Sequence, residues 1–427
     1  MSSSTPSRLP GPGPVSPSPT DAGAGRPVPR TLLVKIFGRD RPGLTAGLLQ
    51  TLAAYGVEVV DLEQVVTRGR ITLCALVTTP GAVGGGSGAA EGELRATVHG
   101  WAESQRLQSE IISGIGDNRP RGEGRSHVTV LGHPLTAEAT AAIAARITGC
   151  GANIDRIHRL AKYPVTAVEF DVSGVATRLL RTELATEAAR RGEVDVAVVA
   201  SGLQRRGRRL VVMDVDSTLI QDEVIELFAA HAGCEERVAE VTAAAMRGEL
   251  DFTESLHARV ALLEGLEERV VEKVRAEVRL TPGARTLVRT LKRLGYRVGI
   301  VSGGFTQVTD SLRDHLGLDF AAANTLEVVD GRFTGRVTGE IVDRAGKARL
   351  LRRFAREAGV PLNQTVAIGD GANDLDMLNA AGLGVAFNAK PLVRRAADAS
   401  VNVPFLDTVL YLLGITREEV EAADAGE

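Results

Sequence analysis

Cysteine is scarce in this chain and scattered: Cys74, Cys150 and Cys234 show no C-x-x-C spacing. That excludes a disulfide framework and a zinc knuckle, and it leads to the expectation of a reducing, cytoplasmic setting. No apolar run approaches the ~18 residues needed to cross a bilayer, so no membrane partner is expected. The opening stretch, MSSSTPSRLPGPGPVSPSPTDAGAG, holds no hydrophobic segment of the kind a secretory signal requires. An excess of positive charge is also missing. Lys and Arg number 50 against 53 Asp and Glu, and a formal net charge of −3 excludes a globally basic nucleic-acid binder. One local run, Arg205, Arg206, Arg208 and Arg209, reads as a solvated linker face.

What is present suits a globular chain. Its 427 residues, 44% hydrophobic and 24% charged, suffice for two or three domains. Residues 1–29, rich in Pro, Ser and Gly, cannot bury enough surface to offset ordering entropy and are expected to form a disordered tail. Next, Leu32 to Phe37, Val57 to Val66 and Ile71 to Val77 read as strands, while Leu44, Leu48, Leu49 and Leu52 fall at helical spacing. The stretch GAVGGGSGAAEGE reads as a flexible loop before a helical segment containing Trp101. From His127 the same order of elements repeats by pattern, with Gly151 standing where Gly56 stood. Each copy gives about one βαββ unit, so two small α+β, ferredoxin-like domains are expected, at 30–114 and 126–200, joined by the linker Gly116 to Arg125.

From Leu210 the texture changes. Short apolar runs end in Asp, in Ser-Gly-Gly and in Gly-Asp-Gly, with longer helical segments between them. This predicts an α/β, doubly wound parallel sheet over 208–414, with a helical cap at about 222–280 and an acidic C-terminal tail at 415–427. In VVMDVDSTLIQDEV, Asp214 and Asp216 stand two positions apart, so an extended backbone points both to one side. Two such carboxylates share a site and push their pKa values apart, leaving one as nucleophile or metal ligand and the other as proton donor. A capped turn into a helix would explain the same residues. Ser302, Gly303 and Gly304 offer a hydroxyl and N–H groups to an anion, or form a plain turn. Asp370 and Asp374 around Asn373 supply hard oxygen ligands suited to Mg²⁺, or cap a helix after a Gly-rich turn. Lys347 alone reads equally as a solvated helix lysine.

Taken together, DVDST, VSGG, the isolated Lys347 and GDGANDLDM resemble the four signature motifs of the haloacid dehalogenase superfamily in its phosphatase branch. The insertion after DVDST resembles the small helical cap of phosphoserine phosphatases, with Glu223, Met246, Phe252 and Arg259 in matching order. The resemblance implies that Asp214 attacks phosphorus and that Asp216 protonates the leaving oxygen, then activates water. It implies Mg²⁺ held by Asp214, Asp370 and the main-chain carbonyl of Asp216, with Asp374 close by. Ser302, Gly303, Gly304, Asn373 and Lys347 would bind the phosphoryl group. Glu223 would take a substrate ammonium and Arg259 a substrate carboxylate, which selects an amino-acid phosphate such as phosphoserine. Met246 and Phe252 shield the substrate, or simply pack.

GRDRPGLTAGL, from Gly38 to Leu48, resembles the strand-to-helix turn of ACT domains, modules that bind amino acids. The resemblance implies effector binding at Asp40, Pro42 and Gly43, and a homodimer. The second copy has GHPLTAE at this turn, without the Asp-Arg-Pro-Gly run, and suits docking better than ligand binding. Two other functions stay open: a related phosphatase or phosphotransferase acting on phosphothreonine, phosphohomoserine or protein phosphoserine, and an amino-acid sensor whose catalytic half is inactive.

Overall fold

The computed structural model describes residues 30–80, 88–116, 124–207 and 209–426. The expectations for residues 1–29, for most of the Gly116–Arg125 linker and for the Met246 side chain lie outside the described residues. The chain divides into two compact units, Met1–Pro120 and Arg121–Glu427.

The first unit runs β1 (Arg30–Arg39), α1 (Leu44–Ala53), β2 (Val59–Thr67), β3 (Arg70–Thr78), α2 (Gly88–Ser104) and β4 (Gln108–Ile115). Its sheet is antiparallel, in the order β2-β3-β1-β4. Alternation buries Leu32, Val34 and Ile36 of β1 and Leu73, Ala75 and Val77 of β3 on one face. Against that face lie Leu44, Leu48 and Leu52 of α1 and Leu94, Val98 and Ala102 of α2, each set at i, i+4 spacing. The expected βαββ unit is thus completed by a further helix and strand. The Gly-rich loop is also shorter than expected, because α2 already begins at Gly88.

The second unit starts with the same order: β5 (Ser126–Gly132), α3 (Ala137–Gly149), β6 (Asn153–Ala161), β7 (Thr166–Ser173), α4 (Thr177–Arg191) and β8 (Val194–Ala200). A short α5 (Leu203–Arg206) leads to β9 (Leu210–Met213) and then to four helices, α6 (Val224–Ala232), α7 (Glu235–Met246), α8 (Phe252–Ala261) and α9 (Val270–Glu277). Next come α10 (Ala284–Arg293), β10 (Arg297–Phe305), α11 (Thr306–Leu316), β11 (Phe320–Val329) and β12 (Arg332–Thr338). The chain ends with α12 (Arg344–Glu357), β13 (Thr365–Gly369), α13 (Leu375–Ala380), β14 (Leu383–Phe387), α14 (Pro391–Ala396), β15 (Ala399–Val401), α15 (Val409–Leu412) and α16 (Arg417–Ala425).

The strands β11-β10-β9-β13-β14-β15 run parallel, and helices cover the sheet as expected for an α/β fold. The sheet does not stop at β15. A bridge from Ala399 to Ala197 pairs β15 antiparallel with β8, so one sheet of 11 strands continues through β8-β5-β7-β6. Leu131, Leu160, Val165 and Val199 of the repeat module share a buried cluster with Val409, Leu410 and Leu412 of the catalytic part. Each such side chain contributes about 1.5–3 kcal/mol of burial. Polar ties reinforce the joint: the Asp195 carboxylate accepts from the N–H groups of Asn402 (2.6 Å) and Val403 (3.1 Å), and Arg181 pairs with Asp398 at 2.5 Å.

Arg205 corrects the reading of the arginine run. It is buried, donates to the main-chain oxygens of Leu412 and Tyr411, and holds the carboxylate of Glu169 on β7. Arg209 is exposed, while Arg208 and the Arg206 side chain lie outside the described residues. The acidic segment after 415 is likewise more than a tail: Thr416 and Glu419 form a capping box for α16, Val420 is buried, and Arg289 and Arg293 hold Asp424. No helix among the described residues is long and apolar enough to cross a membrane.

Candidate active site

β9 is buried throughout and delivers Asp214 at its carboxyl end, between β10 and β13. The Asp214 N–H continues the ladder to the Ile368 oxygen at 2.9 Å, and its carboxylate accepts from the Val215 N–H at 2.7 Å. A tight turn over Val215–Leu219 follows, with Ser217 in the left-handed region at φ 57°. This turn brings Asp216 back over Asp214, and both line one cavity of about 470 Å³. One Asp216 oxygen accepts from the Val224 N–H (2.8 Å), where the cap's first helix begins. The other accepts from the Ser302 hydroxyl at 2.9 Å, and Ser302 Oγ accepts from the Gly304 N–H at 2.7 Å. Gly304 is required at this approach, since a Cβ there would lie 2.9 Å from Ser302 Oγ and 3.0 Å from Asp216 Oδ2.

Lys347 is no solvated lysine. Asp343 caps α12 through the Gly346 N–H (2.6 Å), and the next residue, Lys347, projects into the protein at 1% exposure. Its ammonium lies 2.7 Å from Asp214 Oδ1 and 2.7 Å from Asp374 Oδ1. The loop after β13 carries Asp370, which accepts from the Thr218 hydroxyl at 3.0 Å, and Asp374, whose second oxygen accepts from the Gly371 N–H at 3.0 Å. A side chain at Gly369 would meet the Asp374 carboxylate carbon at 2.4 Å, so that strand end also demands glycine.

The cap closes the cavity from the other side. Its base is a two-sided ladder, with Ile220 bridging Leu280 and Gln221 N–H donating to the Arg279 oxygen. Asp222 is half-buried in this base and holds Arg279 through its main-chain N–H (2.8 Å) and its guanidinium (2.6 Å). Glu223 accepts from the Ser217 hydroxyl at 2.7 Å, and Arg259 on α8 is held by Nε donation to the Ser255 oxygen at 3.2 Å. Phe252, at the start of α8, packs against Gly303. Glu223, Phe252, Arg259, Gly303, Gly304 and Asn373 line the same cavity as the two aspartates.

Crowded carboxylates fix the electrostatics. Burial, with Asp374 and Asp216 beside it, drives the Asp214 carboxyl well up despite Lys347. Burial also raises Asp216, against the pull of the Val224 N–H and Ser302. Glu223 is pushed up to about 7 by burial and then by Asp216, and Asp370 to about 6 by burial and then by Asp374. Burial alone would lower Lys347, but Asp214 and Asp374 outweigh it and raise its pKa. Carboxylate oxygens of Asp214, Asp370 and Asp374 lie within 4.8 Å of one another, with one buried ammonium among them. Hard oxygen donors carrying this much uncompensated charge fit a divalent cation such as Mg²⁺.

Family models match this chain over residues 211–379 as a haloacid dehalogenase-like hydrolase, and over 30–111 and 125–199 as ACT domains. It is 82% identical over 394 residues to a phosphoserine phosphatase of Streptomyces coelicolor, covering 92% of this chain and 94% of that one. The chain belongs to the phosphoserine phosphatase family. A relative from Mycobacterium tuberculosis, also a phosphoserine phosphatase, is 50% identical over 94% of this chain and 97% of its own length. Among solved structures, a probable phosphoserine phosphatase from Vibrio cholerae is 37% identical, covers 69% of this chain and 88% of that one, and superposes with a TM-score of 0.55.

For a chain of this family, sequence reasoning passed over Ser217 and Thr218, which stand inside the quoted DVDST motif and hold Glu223 and Asp370. It also passed over Arg344 and Lys390, which line the cavity without any motif to mark them. The ACT turn lies in the other unit. There the Asp40 N–H donates to the Gly69 oxygen at 2.8 Å, and exposed Gly43, at φ 93°, opens α1.

Proposed function

We propose that the chain hydrolyses O-phospho-L-serine to L-serine and phosphate, the last step of serine biosynthesis, in the cytoplasm. The observation that carries this is the pairing in one cavity of Asp214 and Asp216 with Glu223 and Arg259. The first pair suits phosphoryl chemistry, and the second suits the ammonium and carboxylate of an amino acid.

In this reading Arg259 grips the substrate carboxylate and Glu223 its ammonium, setting phosphorus in line with Asp214. An Asp214 oxygen attacks phosphorus, the bond to the serine oxygen breaks, and Asp216 gives that oxygen its proton. The raised pKa of Asp216 suits a group that must hold a proton first. Asp216, now ionised, takes a proton from water, and the attacking hydroxide releases phosphate and restores Asp214. Ser302, the Gly303 N–H, Asn373 and Lys347 balance charge on the transferring group, with the Gly304 N–H holding the Ser302 hydroxyl in place. Mg²⁺, held by Asp214, Asp370 and the Asp216 carbonyl with Asp374 nearby, supplies further neutralisation when bound.

A free amino acid acting at Asp40, Pro42 and Gly43, and a homodimer, complete the reading; the ACT family match supports them. The test is phosphate release from phosphoserine, phosphothreonine and p-nitrophenyl phosphate by the native protein and Asp214→Asn, with and without chelator. A preference for phosphoserine that is lost in the variant and on chelation is expected. Equal rates on all three esters would sink the assignment of Glu223 and Arg259.

A further inference from the structure

The cavity contains a cation to which the mechanism gives no task. Arg344 on its rim is held by Asp376 at 2.6 Å, and Lys347 by two buried carboxylates. Arg259 has the substrate carboxylate. Lys390 lines the same cavity, is exposed, and has no ion-pair or hydrogen-bond partner for its ammonium among the described residues.

Its seat is well defined. β14 lies beside β13, the strand that delivers Asp370, and ends at Phe387. Asn388 then turns the chain in the left-handed region at φ 46°, with its N–H donating to the Val401 oxygen at 2.8 Å. Ala389 is buried beneath, and Lys390 stands at the N-cap position of α14 immediately before Pro391, without a side-chain capping bond. Lys390 thus reaches the cavity from the end of β14, the neighbour of the strand that leads to the loop 370–373, whereas Arg259 reaches it from the cap.

The walls of this cavity carry more acidic than basic side chains. A phosphate monoester is a dianion, and Asp214, Asp216, Glu223 and Asp370 all face the space it must enter. An unpaired cation at the mouth, on the side where phosphorus reacts, offsets that repulsion during approach. We propose that Lys390 captures the phosphoryl group of the incoming ester and lingers on the phosphate product, raising the rate of productive encounter and leaving bond making alone. This rests on the cavity being the substrate site.

The test compares the native protein with Lys390→Gln and Lys390→Arg on phosphoserine and on p-nitrophenyl phosphate across a range of ionic strength. Lys390→Gln is expected to lower kcat/KM about fivefold at low salt on both esters, to flatten its decline with salt, and to weaken inhibition by inorganic phosphate. Its kcat should stay within about twofold of native, since encounter and not chemistry is affected. Lys390→Arg should restore both kcat/KM and the salt slope. An unchanged kcat/KM and slope in Lys390→Gln would overturn the proposal. So would a loss confined to phosphoserine, which would mean that Lys390 reads the amino-acid carboxylate, or a fall in kcat with a lowered melting temperature, which would mean that it only supports the turn. If the native protein showed no preference for phosphoserine, the substrate reading would fail, while the p-nitrophenyl phosphate arm would still decide the role of Lys390.

Discussion

Arg205 and Glu169 form a two-pronged ion pair with both side chains buried, joining the segment that leads into β9 to a strand of the second repeat module. The Glu169 carboxyl is held down at about 2, because hydrogen bonds from His127 and Arg205 outweigh its burial. Removing one partner strands a buried charge, so Arg205→Ala should cost about 3–5 kcal/mol, read from denaturant midpoints. The double variant Arg205→Met with Glu169→Leu should lie much nearer to native, since it leaves no charge unpaired. The sign with pH follows from the lowered pKa. The pair's contribution is full above the ordinary Glu value of 4.5 and is lost as pH falls towards about 2.

That pair also marks where sequence reading stops. A run of arginines carries no sign of a carboxylate 36 residues upstream, so solvation was the natural expectation. The pairing of Asp222 is hidden for the same reason, its partner Arg279 lying at the far end of the cap. The alternation in β1 and β3, the helical spacing of α1, and the loops that end β9, β10 and β13 were legible because each is a local pattern. Lys390 shows the limit for the site: its place in the cavity comes from the neighbouring positions of β13 and β14, which no local motif encodes.

Asp214→Asn should abolish phosphate release, with a loss of about 10³-fold or more, while leaving the fold at least as stable as native. The buried Asp214 carboxyl is raised, which means that its charge opposes folding at neutral pH. A neutral amide removes that opposition and leaves Lys347 paired with Asp374. Thermal melting beside the activity assay checks both halves. A strongly destabilised variant would show that the Asp214–Lys347 pair supports the fold more than burial opposes it.

Glu223 should give the chain a pH dependence near neutrality. Its carboxyl is raised from 4.5 to about 7 in the folded state, so between those values the folded chain holds a proton that the unfolded chain lacks. The contribution of Glu223 to stability therefore falls as pH rises from about 4.5 to about 7, and Glu223→Gln should flatten the decline. Capture of an ammonium needs the ionised carboxylate. The kcat/KM for phosphoserine should accordingly rise through about pH 7, and this limb should vanish for p-nitrophenyl phosphate, which carries no ammonium. Identical profiles for the two esters would remove Glu223 from substrate recognition.

Arg259 should separate recognition from chemistry. It stands on α8, fixed by its own helix through the Ser255 oxygen, and faces the cavity from the cap while Asp214, Asp216 and Lys347 come from the sheet side. Arg259→Lys keeps the charge but loses the flat fork that matches a carboxylate. It should lower kcat/KM for phosphoserine about 10- to 100-fold, the range of a lost charge-assisted pair. On p-nitrophenyl phosphate the change should stay within about threefold, because that ester offers no carboxylate to hold. Equal losses on both esters would move Arg259 from reading the amino acid to organising the phosphoryl site, and the selectivity for phosphoserine would then rest on Glu223 alone.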